Sequence, residues 1–95
     1  MKGYVIGEVS VRDQGAYEDY RKQVLATIEK YGGRFLVRGG RSEGLEGKAP
    51  AGRIVVLEFP SYDHASMWYR SAEYAPLITL RQSASEGRLI LVEGA

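Results

Sequence analysis

This sequence predicts an α+β fold, a four-stranded antiparallel sheet with helices on one face. Three observations predict it: the order in which strand and helix patterns alternate, the breakers between them, and the two-residue periodicity of the strands. The order is strand, helix, strand, strand, helix, strand. Two helical crossovers around a central hairpin give the ferredoxin-like βαββαβ arrangement. A length of 95 residues suits a single domain, residues 1–95.

Each element has its own signature. Tyr4 to Val11, "YVIGEVSV", alternates and is rich in β-branched residues, which marks a strand. Asp13 is a natural helix N-cap. Beyond it Tyr17, Tyr20, Val24, Ile28 and Tyr31 fall three and four apart, one face of a helix from Gln14 to Tyr31. Gly32 and Gly33 end that helix, because glycine takes a left-handed cap without a steric cost. "RFLVRGGR", Arg34 to Arg41, is the second strand, and "SEGLEGKAPAG" is a polar turn region. Arg53 to Phe59, "RIVVLEF", is the third strand, stopped by Pro60. Ser61 caps a second helix, with Asp63 placed against its dipole. Ala65, Trp68, Tyr69 and Ala72 form its apolar stripe. The stretch Ser71 to Pro76 predicts a break and restart, since proline is tolerated in a first helical turn. Leu77, Leu80 and Ala84 carry the stripe to about Ser85, and Arg88 to Gly94 is the last strand.

Composition narrows the functional classes. Thirteen Lys and Arg stand against twelve Asp and Glu, a net charge of +1. The signs alternate along the chain, so no electrostatic footprint for nucleic acid is expected. There is no cysteine, which excludes disulfides and thiolate zinc sites. The apolar run at the N-terminus is broken by Gly7, Glu8 and Ser10, so neither a signal segment nor a membrane span is expected. The expected location is cytoplasmic.

Strand parity carries the strongest inference. Side chains alternate between sheet faces. The odd positions, Val5, Val9, Val11, Phe35, Val37, Val55, Leu57, Phe59, Leu89 and Leu91, suit the face beneath the helices. The even positions, Tyr4, Ile6, Glu8, Leu36, Arg38, Ile54, Val56, Glu58, Ile90 and Val92, are too apolar for a face left to water. A second copy packed sheet to sheet is the economical cover, so a homodimer through this face is expected. Each aliphatic side chain so buried contributes roughly 1.5–3 kcal/mol. Glu8, Arg38 and Glu58 share the even face. They are expected to converge there, as a structural ion pair or as a polar anchor for a ligand.

The glycine-rich stretch from Gly32 to Gly47 invites a phosphate loop, and the sequence rejects one. Ser42 stands where the first glycine of a Walker motif belongs, and Ala49 follows Lys48. The segment also precedes a strand, the reverse of the strand–loop–helix context. Glycine here reads as cap, bulge and turn chemistry. Gly39 and Gly40 also leave room for close approach of another group. His64, the single histidine, has no partner spacing for a metal, so no metal is expected. The aromatics on the helices, Tyr17, Trp68 and Tyr69 among them, are core or the walls of a site, and Arg81 can reach a wet edge beside them.

"YVIGEVSV", "YGGRFLVRGG", "LEG", "RIVVLEFPS", "WYRSAEYAPLITLR" and "GRLILVEG" together resemble the domain-of-unknown-function 1330 family over nearly the whole chain. That family belongs to the dimeric α+β barrel superfamily, so the resemblance implies the same fold and sheet-to-sheet dimer that parity suggests. It implies no activity. Superfamily relatives include monooxygenases that work without a metal, isomerases, haem enzymes and ligand-sensing domains. Where the family carries a Trp-x-Pro-like segment after "LEG", this chain has Gly47-Lys48-Ala49-Pro50, without the aromatic. No proximal histidine is evident, and no cofactor is expected.

The expectation for function is a homodimer that binds a small anionic or aromatic metabolite, as a cofactor-independent enzyme or as a non-catalytic sensing or structural module. Arg38 is the expected anion anchor, with Tyr17, Trp68, Tyr69 and Arg81 around it. Glu8, Glu58 and His64 are the candidates for proton transfer.

Overall fold

A computed structural model of residues 1–95 contains β1 (Gly3–Val11), α1 (Gln14–Lys30), β2 (Arg34–Arg38), β3 (Arg53–Phe59), α2 (Tyr62–Tyr69), α3 (Ala75–Ala84) and β4 (Ser85–Glu93). The sheet order is β2-β3-β1-β4, with every pair antiparallel. This is the ferredoxin-like α+β fold.

The caps act as the sequence implies. Asp13 accepts a hydrogen bond from the Ala16 amide at 3.1 Å, and Ser61 accepts one from the His64 amide at 3.1 Å. Gly32, at φ 79°, closes α1. The amides of Gly32 and Gly33 return to the carbonyls of Glu29 and Ile28, each at 3.0 Å, a closure available only with a left-handed residue there. The break between α2 and α3 lies at Arg70–Tyr74, and Pro76 sits in the first turn of α3. Three boundaries differ from the sequence reading. β2 ends at Arg38 rather than Arg41, because the backbone turns left-handed at Gly39. β4 begins at Ser85, directly after α3, and pairs with β1 from Val11 onward. Ala72 is exposed, and Ser71 is buried in its place, since the helix has ended before either residue.

All helices lie on one face of the sheet, over a core in which Val5, Val9, Leu57 and Phe59 meet Ile28, Ala65, Trp68, Tyr74 and Leu77. Trp68 is the centre of it. Its ring stacks on Tyr74 at 4.1 Å between centroids and tilts against Phe59 at 5.5 Å. Its indole N–H donates to Thr27 at 3.0 Å, so the buried ring leaves no polar atom unpaired. On the opposite face no element covers the sheet. There Ile6, Ile54 and Val56 are half-buried, and Leu36, Val37, Ile90 and Val92 are exposed.

Val37 on that outer face is a correction to strict parity. The β2–β3 register runs Phe35↔Leu57, then Val37↔Val56 and Arg38↔Val55. Leu36 is the extra residue of a β-bulge, and a bulge exchanges the faces of everything beyond it. Val37 therefore turns outward, and Arg38 turns inward, beneath the helices.

Candidate functional site

The bulge separates the charges that parity had placed together. Glu8 and Glu58 do not converge on Arg38. Glu58 stands opposite Tyr4 in β1, whereas Glu8 stands opposite Ile54. That offset is four residues, or roughly 13 Å along the strands. Each carboxylate has its own partners. Glu58 accepts from Arg34 at 3.0 Å and from the Tyr4 hydroxyl at 3.1 Å. Those two bonds, Arg34 first, hold its pKa below the ordinary value. Glu8 accepts from the Ala51 amide at 3.0 Å and from Arg88 at 3.2 Å, and its pKa is lowered in the same sense, chiefly by the amide. Arg34, which precedes the bulge, takes the place expected of Arg38.

His64 is also displaced from the expected chemistry. Exposed in the first turn of α2, it shares a 2.7 Å hydrogen bond with Ser61 as part of the cap. It does not line the cleft described next.

Between the sheet and the helices runs a narrow, mostly apolar cleft. Tyr17, Tyr20, Val24 and Ile28 of α1, Trp68 of α2, Tyr74, and Val5, Val9, Val55 and Leu57 of the sheet form its walls. Its free volume is about 40 Å³, on a scale where one water takes about 10–15 Å³. Four cations line it: Arg21, Arg38, Arg53 and Arg81; no carboxylate or histidine does. Arg21 alone has an acid partner, Glu18 at 3.4 Å on its solvent side. Arg38, Arg53 and Arg81 make no ion pair.

These guanidiniums are held by carbonyls and rings. Arg38 donates to the Arg21 carbonyl at 3.1 Å and lies 4.1 Å from the Phe35 ring centroid. Arg53 donates to the Arg38 carbonyl at 3.2 Å and lies 5.4 Å from the Tyr17 centroid. Gly39 makes room for it: a Cβ there would stand 2.3 Å from the Arg53 guanidinium. Gly39 at the end of β2 thus serves an arginine. Burial, then the neighbouring charges of Arg21 and Arg53, push the Arg38 pKa down. That is the signature of cations crowded together in a poorly solvated place. Arg81, 7% exposed, lies beside the hydroxyl of Tyr74. Burial alone would lower its pKa, and its contacts with Tyr74, Tyr20 and Tyr69 more than offset that. The Nε atoms of Arg21, Arg53 and Arg81 are all buried without a hydrogen-bond partner.

Tyr20 and Tyr74 complete the lining. Their hydroxyls meet at 2.8 Å, and burial raises both pKa values above the ordinary phenol. Both stay protonated, and one hydroxyl hydrogen of the pair is left to donate elsewhere. Tyr69 stands outside this cleft. It lines a neighbouring groove between α2, α3 and β4 that Arg81, Val5 and Leu89 share. Of the expected site residues, then, Tyr17, Arg38, Trp68 and Arg81 come together, and Glu8, Glu58, His64 and Tyr69 do not join them.

Fold and lining together define a ferredoxin-like α+β protein with a cation-rich cleft under its helices. The chain belongs to the family described as domain of unknown function (DUF1330), whose model matches residues 2–95. Solved structures share the architecture. The RPA0582 protein of unknown function from Rhodopseudomonas palustris matches with TM-score 0.77 at 20% identity, over 99% of this chain and 82% of that one. SnoaB, a cofactor-independent oxygenase from Streptomyces nogalater, matches with TM-score 0.63 at 11% identity, over 99% and 93%. A putative antibiotic biosynthesis monooxygenase from Nitrosomonas europaea matches with TM-score 0.57 at 10% identity, over 98% and 89%. These likenesses establish the α+β barrel fold. No curated protein matches the sequence. No helix is long and apolar enough to cross a membrane.

Proposed function

We propose that this protein binds a small anionic metabolite, a carboxylate, in the cleft between its sheet and helices. One observation carries the reading: Arg38, Arg53 and Arg81 face an apolar cleft with no acid among its lining residues. Arg81 is buried and Arg38 and Arg53 are half-buried; cations withdrawn from water without a counter-charge are costly, and an anion would complete the site. Apolar and aromatic walls with a few convergent donors are what small-molecule sites use. The lining offers hydrogen-bond donors and no carboxylate or imidazole base. Any chemistry it performs therefore rests on stabilising negative charge as it develops on the substrate. The fold shared with a cofactor-independent oxygenase is compatible with such a role.

The functional unit is a homodimer joined through the outer sheet face. Ile6, Leu36, Val37, Val56, Ile90 and Val92 leave that face apolar and uncovered, and a second sheet covers it without a further element.

The test is thermal unfolding with acetate, propionate and butyrate at fixed ionic strength. A carboxylate present at a hundred times its Kd raises stability by about 2.7 kcal/mol, or roughly 10–20 °C for a chain of this size. Arg81→Met should reduce that rise, because it removes one of the cations that line the cleft. A flat midpoint with every acid, in this series and among diacids, defeats the reading.

A further inference from the structure

The four arginines are not one cluster. Arg38 and Arg53 come from β2 and β3, one half of the sheet, and Arg21 of α1 joins them. The backbone carbonyls that hold this group belong to its own members: Arg38 bonds the Arg21 carbonyl, and Arg53 bonds the Arg38 carbonyl. Arg81 comes from α3, which packs on α1 and β4 at the other half. Its neighbours are the phenols Tyr74 and Tyr20. Between the two groups stand the rings of Tyr17 and Tyr20, with centroids 5.6 Å apart. Tyr17 carries the Arg53 guanidinium on its face, and the Tyr20 hydroxyl reaches the Arg81 side through Tyr74. The cleft thus carries two cationic poles linked through an aromatic pair.

Both poles are unfinished. The buried Nε atoms without partners fall on both sides, Arg21 and Arg53 at one and Arg81 at the other. The two poles also differ in kind. One offers guanidinium donors only. The other offers a guanidinium together with the spare hydroxyl hydrogen of the Tyr20–Tyr74 pair. A single carboxylate satisfies one pole and leaves the other without a counter-charge.

Resting on the anion-binding reading above, we propose that the ligand is a short-chain dicarboxylate. One carboxylate sits at Arg38 and Arg53, the other at Arg81 with Tyr20 and Tyr74, and the spacer lies against the rings of Tyr17 and Tyr20. A bidentate fork is the geometry guanidinium offers to carboxylate. The free volume of about 40 Å³ favours the shortest spacers, and the lining side chains must move apart to admit the ligand.

Calorimetric titration of the full chain at constant ionic strength decides it. The ligands are propionate and butyrate, then malonate, succinate and glutarate, with sulfate as a compact dianion. The best diacid should bind at least tenfold more tightly than either monoacid, with a maximum at one chain length, and sulfate should bind more weakly than that diacid. Arg38→Gln and Arg81→Gln should each reduce the diacid to the affinity of a monoacid, and Arg81→Lys should recover part of the loss. Monoacids that match the diacids, or sulfate that matches the best of them, would overturn the two-pole site while leaving anion binding intact. Absence of binding by every ligand removes both. The wild-type series reads the outcome even where a variant folds poorly.

Discussion

The two faces of one sheet treat charge in opposite ways. On the outer face each carboxylate of the strands has a cation: Glu58 has Arg34, Glu8 has Arg88 and Glu86 has Arg12. On the inner face four arginines line a cleft without an acid, and three of them make no ion pair. Pairs of the first kind at Glu8 and Glu58 join an exposed arginine to a half-buried carboxylate and contribute modestly to stability. Cations of the second kind have no counter-charge, and backbone carbonyls and aromatic rings hold Arg38 and Arg53 instead. A local break in β2 sets the difference. The bulge at Leu36 sends Arg38 inward, and without it Arg38 would join the outer set.

The faces also differ in what their apolar residues do, and substitution separates the two roles. The largest effect is expected on the inner face. Trp68→Ala removes a fully buried ring that contacts Phe59, Tyr69 and Tyr74 and bonds Thr27. Such truncations cost about 3–5 kcal/mol, a large share of the roughly 5–15 kcal/mol that holds a domain together. Urea unfolding should show the midpoint collapse; a loss below about 1 kcal/mol would mean that the helix-side core is not where the stability resides.

On the outer face the same kind of insult should leave the chain folded and take the proposed dimer apart. Val56, on the central strand β3, stands opposite Ile6. Val56→Lys places a charge in the middle of the uncovered apolar surface, and facing copies would bring two such charges together. Sedimentation at micromolar concentration should show a wild-type dimer and a folded monomeric variant, with dimer affinity at least a hundredfold weaker. A wild-type monomer at that concentration would break the comparison, since the outer face would then be merely a solvated one.

How far the sequence reveals this division can be judged residue by residue. The caps at Asp13 and Ser61, the stop at Gly32 and the restart at Pro76 are local chemistry, and local chemistry is visible in sequence. Parity is visible too, and it places Val5, Val9, Leu57 and Phe59 under the helices. It fails at Arg38, because one inserted residue reverses it and nothing in "RFLVRGG" identifies Leu36 as the insert. The available hint is Gly39, whose left-handed φ makes a strand end irregular. Arg21 and Arg53 escaped for a different reason. Arg21 lies four residues after Tyr17 on the buried stripe of α1, and Arg53 shares the parity of Val55, so their positions pointed inward. Polar type argued against it, since charged residues are rarely placed in a core. Positively charged residues on apolar faces are the signal that could have found this cleft. The Tyr20–Tyr74 bond joins residues 54 apart in sequence and follows only from the packing of α1 on the α2–α3 connection.

The smallest effect belongs to a contact outside both faces, and it serves as a control on them. Lys30 at the end of α1 bonds Glu73 in the connection between α2 and α3, and the Tyr31 hydroxyl donates to the same carboxylate at 3.0 Å. The Lys30 bond first, then the backbone and Tyr31, lower the Glu73 pKa from 4.5 to about 2. A depressed carboxylate stabilises the fold above its unfolded pKa, and that stabilisation is lost as pH falls through the folded value. The stability difference between wild type and Glu73→Gln should therefore be constant above about pH 4.5 and shrink steadily towards pH 2. Both side chains are substantially exposed, so the effect is modest and weakens with salt. The variant should also keep the wild-type response to carboxylates, because Glu73 does not line the cleft. A difference unchanged down to pH 2 would show that the Lys30 contact does not persist in solution. An altered anion response would show that the cleft senses charge beyond its own lining.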